Sequence, residues 1–276
     1  MLQSMTRQTD AEPYTMPVVV RAREYYLYDR FGKRYVDFFQ NHGRAILGHR
    51  PEGVQRALKS TISRGLVAEY PSVYQGRLEK ILAQLLPDFP YVRIYPRQGS
   101  VAEFLKRRFG TDEVADPATG VMPQGCGASY WRPFLGDGGA DTVLLFPILP
   151  FPGSFIPEIV CAGDEALANE LPPSSPASPL LLDLLVKSVS ALLRMYESEE
   201  AVASRAMGNP LEGLFGRPRG PYLLTGLPED RYRKLFHEAL EAGVVLPPGP
   251  GIPMIFPARY NDGDVAEFRR IAARYC

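Results

Sequence analysis

The sequence predicts an α/β protein with a separate α+β portion. Three observations support this: a strand hairpin near the N-terminus, helical periodicity that alternates with short apolar runs, and a helix–strand–helix order near the C-terminus. The predicted hairpin comprises residues 25–28 and 34–39, with Gly32 in the turn to supply a positive φ. A further strand is expected at residues 18–20, after a polar arm of residues 1–16.

Helices are predicted where apolar residues recur every three or four positions. They are residues 51–64, 74–86, 99–108, 179–197, 229–242 and 262–275. Gly65 and Gly243 follow two of these helices, where a left-handed residue ends a helix well. Ser178 is the expected cap of the fourth helix, and Asp264 suits the first turn of the last. The remaining predicted strands are residues 91–95, 142–149, 222–224 and 244–246.

Composition excludes several classes of partner. Lysine and arginine total 31, as do aspartate and glutamate, so the net charge is zero and no basic excess favours nucleic acid or a membrane surface. No apolar stretch reaches the roughly 18 residues of a membrane span, and we see no signal-peptide core at the N-terminus. Cys126, Cys161 and Cys276 form neither a CxxC pair nor a metal spacing, which favours reduced thiols in a cytoplasmic protein.

Both ends of the chain resemble one enzyme family. Residues 25–65 are similar to the opening of class III aminotransferases such as glutamate-1-semialdehyde aminomutase, through the matched positions Asp29, Gly32, Tyr35, Asp37, Phe38, Leu47, Gly48 and His49. The likeness continues through residues 70–95 and resumes at residues 219–248.

The resemblance implies the pyridoxal-phosphate-dependent transferase fold of type I, with a reduced large domain and an α+β small domain. On this basis residues 1–65 are the arm and part of the small domain, residues 66–200 the large domain, and residues 201–276 the C-terminal small domain. Members of the family are usually homodimers, so we expect a homodimer or an assembly with a full-length relative.

Pyridoxal phosphate needs a Schiff-base lysine, an acid beside its pyridinium nitrogen and a phosphate cradle. Six lysines are present, and none stands at the position that the family uses: Lys33, Lys59, Lys80, Lys106, Lys187 and Lys234. The acid is missing too, because the run Val143–Phe146 leads into Pro147 and Ile148. An alternative alignment sets residues 146–155 against the lysine loop and finds no lysine there either.

The phosphate cradle is partly retained. Members of the family have the motif S-G-[TS]-E-A at the strand-to-helix turn that binds the phosphate. In this chain the corresponding residues 98–102 are Gln-Gly-Ser-Val-Ala. Gly99 and Ser100 are therefore candidate cofactor-binding residues, although glycine and serine at a helix start also serve capping alone.

The other candidate residues have simpler interpretations. The resemblance implies a role for His49 in the fold. His42 and His237 lack ligand partners at metal spacing, so no metal site is expected. Tyr130 and Trp131 are either the remnant of a ring-stacking aromatic or side chains that are buried or contact a partner, which we favour.

Two hypotheses for function follow. The first is a non-catalytic homologue that acts as a partner subunit, a regulator or a ligand binder and needs no cofactor. The alternative is an active pyridoxal-phosphate-dependent aminotransferase or aminomutase in which Lys187, or Lys106, has taken over the role of the missing lysine. Chemistry favours the first, because that lysine supplies both the covalent link and the general base.

Overall fold

The structure is a computed structural model, and it describes residues 14–120, 123, 125–135, 139, 141–150, 156–198, 211 and 213–276. Most of the predicted N-terminal arm and residues 151–155 of the alternative lysine loop lie outside these residues. Within the described chain, no helix is long and apolar enough to cross a bilayer.

One sheet joins the two ends of the chain. Its strands are β1 (Val19–Arg23), β2 (Tyr26–Asp29), β3 (Arg34–Asp37) and β9 (Val244–Val245), in the order β1-β2-β3-β9. The first three pair antiparallel, as the predicted hairpin requires, whereas β3 and β9 are parallel. A two-stranded ribbon of β8 (Tyr222–Leu223) and β10 (Met254–Ile255) completes this half.

Two amphipathic helices form the core beneath this sheet. They are α6 (Glu229–Glu241) and α7 (Asp262–Ala272). Their apolar stripes meet the strand residues in one cluster, which includes the fully buried rings of Phe38, Tyr232, Phe236 and Phe268. Gly243, with φ +85°, follows α6 as predicted and lets the chain turn directly into β9.

The second sheet has both faces covered. Its strands are β4 (Tyr91–Tyr95), β5 (Ala128–Trp131), β6 (Leu144–Pro147) and β7 (Glu158–Ala162), in the order β4-β7-β6-β5. Strand β7 is antiparallel to both neighbours, and β5 and β6 are parallel, so β4, β5 and β6 all run the same way. All five residues of β7 are buried, which is typical of a strand with helices on both faces.

Helices pack on each face of this sheet. Helices α1 (Val54–Ser63), α2 (Val73–Leu85) and α5 (Pro179–Glu197) share a core with Ile159 and Cys161 of β7. Helices α3 (Ala102–Phe109) and α4 (Glu165–Glu170) share another with Val160 and Ala162. Alternate residues of β7 thus point to opposite faces, which gives a helix–sheet–helix sandwich.

The structure corrects some local predictions. Strands β5, β7 and β10 and helix α4 were not predicted, and the helix expected from residue 99 begins at Ala102. Ser178 stands at the start of α5 but does not cap it, because its hydroxyl donates to the carbonyl of Val67. Gly65 has φ +69° just after α1, as expected.

Candidate active-site cleft

A cavity of about 280 Å³ lies at the carboxyl edge of the second sheet. The ends of β4 and β6, the start of β7 and the start of α3 meet there. This edge is where ligands of α/β proteins usually bind. The apolar walls of the cavity include Phe146, and its polar walls are formed by Arg44, Gln98, Asp112, Tyr130 and Glu158.

The turn before α3 forms one wall of the cavity. Gly99 has φ +78°, a conformation that favours glycine, and its N–H donates to Oε1 of Glu158 at 3.0 Å. The amide of Gln98 holds the same turn by donating to the carbonyl of Ile156 at 2.8 Å. Ser100 is exposed, and its hydroxyl donates back to the carbonyl of Arg97. Of the two predicted cradle residues, Gly99 therefore lines the cavity and the Ser100 hydroxyl does not.

Glu158 is a buried acid in this wall. It is 7% exposed, and burial raises the pKa of its carboxyl group, although the N–H groups of Gly99, Ser100 and Val101 oppose that shift. Its Oε2 atom is buried and has no hydrogen-bond partner among the described residues. The sequence did not single out this residue, because nothing local connects it to Gly99.

Arg44 brings a cation to the cavity lining. It is half-buried, and burial, together with the positive charge of Arg132, lowers the pKa of its guanidinium group. No carboxylate of the described chain forms an ion pair with it. Tyr130 lies against Phe146 with ring centroids 6.3 Å apart, and burial raises the pKa of its hydroxyl group.

A left-handed turn places Arg44 at the cavity. Gln40, Asn41 and His42 all have positive φ, at 46°, 47° and 59°. This backbone is costly for residues other than glycine and persists only where surrounding contacts enforce it. Two such contacts come from the buried carboxylate of Asp37, which accepts hydrogen bonds from the N–H groups of residues 39 and 40, each at 2.9 Å.

His49 completes the same network. Its Nε2 lies 2.8 Å from Oδ2 of Asp37, so both matched motif residues act together on the turn. The geometry agrees with the structural role that the resemblance implied for His49.

A largely buried ion pair contacts the left-handed turn. Arg132 reaches Asp116 through two hydrogen bonds, Nη2 to Oδ2 at 2.6 Å and Nε to Oδ1 at 2.7 Å. Its Nη1 donates to the carbonyl of His42 at 2.9 Å, and its guanidinium lies over the ring of Tyr222 at 5.4 Å. The pair therefore connects the end of β5, the left-handed turn and strand β8.

The lysines lie elsewhere. All six are exposed, and none lines the cavity. Lys187 is on the outer side of α5, and Lys106 faces Glu103 and Asp112, with Nζ 3.3 Å from the Asp112 carboxylate. Trp131 is buried in the core, whereas Tyr130 lines the cavity.

The residues present do not fit pyridoxal phosphate. No lysine amine reaches the cavity, β6 ends in Pro147 and Ile148 without an acid, and the start of α3 already holds the carboxylate of Glu158. Among the described residues, no group of histidine, cysteine and acidic side chains could hold a metal ion either.

Comparison with known proteins identifies the fold. No protein-family model matches the chain. An uncharacterized protein of Borreliella burgdorferi is 28% identical over 93% of this chain and 90% of its own length. Glutamate-1-semialdehyde 2,1-aminomutase of Heliobacterium modesticaldum is 38% identical over 79 residues, which cover 28% of this chain and 18% of that enzyme.

Solved structures match along nearly the whole chain. Ornithine δ-aminotransferase of Plasmodium falciparum superposes with a TM-score of 0.68 at 14% identity, covering 98% of this chain and 95% of that one. Acetylornithine aminotransferase of Elizabethkingia anophelis gives a TM-score of 0.64 at 15% identity, covering 98% and 96%. These matches confirm the predicted fold class and the resemblance to class III aminotransferases.

We predict that Asp116→Ala destabilises the protein by about 3 kcal/mol, because it leaves the buried guanidinium of Arg132 without a counter-charge. Urea unfolding followed by circular dichroism measures this. Glu113→Ala is the matched control, since it removes an exposed carboxylate from the same loop and should cost less than about 0.5 kcal/mol. Equal losses in the two variants would contradict the role given to the ion pair.

Proposed function

We propose that this chain, which has the class III aminotransferase fold, is a non-catalytic homologue that binds a small anionic ligand in the cavity beside Arg44. The observation that carries the proposal is a half-buried arginine without a described acidic partner, in a cleft that contains no lysine. Such a cation is costly to bury and is stabilised by an anion that enters the cavity.

The charges around the cavity support this choice. Each nearby carboxylate is already engaged: Asp116 with Arg132, Asp112 with Lys106, and Glu158 with the start of α3. Burial, followed by the charges of Arg132 and Arg44, lowers the pKa of the His42 imidazole, whereas Asp116 opposes that shift. Arg44 is the one cationic side chain among the described residues that line the cavity. A volume of about 280 Å³ suits a small molecule.

The alternative, an active pyridoxal-phosphate enzyme that uses a relocated lysine, has less support. Lys187 would have to pass from the exposed side of α5 to the far side of the sheet, because α5 and the start of α3 lie on opposite faces. Lys106 lies on α3, whose first residues line the cavity, but its amine pairs with Glu103 of the same helix and Asp112 of the following loop. We therefore favour the non-catalytic hypothesis. We also propose that the protein is cytoplasmic, since its three cysteines form no disulfide.

A second copy of the chain is the partner that we propose. Residues 62–73 carry a row of exposed apolar side chains: Ile62, Leu66, Val67, Tyr70 and Val73, of which Tyr70 and Val73 are about 70% exposed. Several large apolar side chains exposed within one short segment are typical of an interaction site. A full-length relative could use the same surface in a mixed assembly.

We predict that Arg44→Gln weakens binding of small anions at least about tenfold, since a hydrogen bond to a charged group is worth about 1.5–3 kcal/mol. Acetate, propionate, succinate, benzoate and sulfate serve as probes, with affinity measured by calorimetry and by the shift in melting temperature. Arg56→Gln, an exposed arginine on α1, is the matched control and should bind like the unmodified protein. The proposal fails if the unmodified protein binds none of the probes, or if Arg44→Gln binds them equally well.

We predict that the protein is a dimer in light scattering at micromolar concentration and that Tyr70→Asp together with Val73→Asp makes it monomeric, because two charges then face the apolar partner surface. Phe31→Asp changes an equally exposed ring at the β2–β3 turn and should leave the dimer intact. A monomeric unmodified protein, or equal disruption by Phe31→Asp, would rule out this interface.

A further inference from the structure

We propose that the carboxylate of Glu158 is a built-in anion that occupies the turn leading into α3, so that this end of the cavity excludes phosphate and leaves Arg44 to receive the ligand's negative group. The proposal deepens the proposed function, since it concerns the same cavity. Only the role of Arg44 rests on that function, whereas the exclusion of phosphate by Glu158 does not.

The first support is the position of the carboxylate. Free N–H groups and the helix dipole make the start of a helix attractive to anions. Here Oε1 of Glu158 accepts from the N–H of Gly99, three residues before α3, at 3.0 Å. The N–H groups of Ser100 and of Val101, the N-cap residue of α3, also favour the charged form of the carboxyl group. An incoming phosphate would need the donors that Glu158 already uses.

The second support is the unpartnered oxygen. Glu158 is 93% buried, yet its Oε2 has no hydrogen-bond partner in the described chain and belongs to a side chain that lines the cavity. A buried acceptor without a partner is costly. An anion in the cavity would add like-charge repulsion with this carboxylate, so the side chain that lacks a second partner also disfavours phosphate.

The surrounding backbone does not depend on this contact. Gln98 holds the turn through the carbonyl of Ile156, and Glu158 pairs with Tyr95 through the backbone of β7 and β4. Truncating the side chain should therefore leave Gly99 in place and open the start of α3. Glu158→Ala removes both the charge and the volume, and Glu158→Gln removes the charge while keeping the volume.

Inorganic phosphate and sulfate are the probes, with affinity measured by calorimetry at constant ionic strength on the full chain. We expect Glu158→Ala to bind both at least about tenfold more tightly than the unmodified protein, and Glu158→Gln to show a smaller gain. Glu103→Ala is the matched control: it removes an exposed carboxylate from the first turn of α3 without opening space in the cavity, and should show no comparable gain.

Two comparisons keep this proposal apart from the function of Arg44. The gain from Glu158→Ala is measured again in the Arg44→Gln background, where we expect it to persist. If folded Glu158→Ala shows no gain over the unmodified protein, the inference is overturned whatever Arg44 does. If Glu158→Ala does not fold, Glu158→Gln decides, and equal affinity of Glu158→Gln and the unmodified protein overturns it. An equal gain from Glu103→Ala would assign the effect to net charge and likewise overturn it.

Discussion

The bidentate ion pair between Arg132 and Asp116 is the interaction on which the cleft depends. It neutralises the buried guanidinium of Arg132, which also donates to the carbonyl of His42 and so holds the left-handed turn that precedes Arg44. The same guanidinium lies over Tyr222, so the sheet formed by the chain middle is tied to a strand near the C-terminus. Removing Asp116 would therefore disturb the fold and the site together.

The charged side chains of the cleft account for the proposed preference for a small anion over pyridoxal phosphate. A cleft built for pyridoxal phosphate needs an amine, an acid beside the ring and an open anion site. Among the described residues that line the cavity there is no lysine, the turn before α3 holds Glu158, and Asp112 is paired with Lys106. Arg44, which is half-buried, is the one cationic side chain among these lining residues. Anion binding is the chemistry that this arrangement supports.

Strong local patterns made much of the fold predictable. Helices α2, α5 and α6 bury one stripe each, so their periodicity is visible in the sequence, and the hairpin of β2 and β3 has clear turn chemistry. Strand β7 was not predicted, because both of its faces are buried and its sequence shows no alternation of apolar and polar residues. Gly99 was found from its motif, but Glu158 is 59 residues away and meets it only because β7 pairs antiparallel with β4.

We infer that this chain, although it has the aminotransferase fold, forms no Schiff base with pyridoxal phosphate. The test adds the cofactor to the purified protein, records the absorption spectrum, reduces the mixture with borohydride and maps the peptides by mass spectrometry. We expect no Schiff-base band and only trace, scattered modification of the six exposed lysines. A stoichiometric adduct on a single lysine, Lys187 or Lys106 above all, would contradict it.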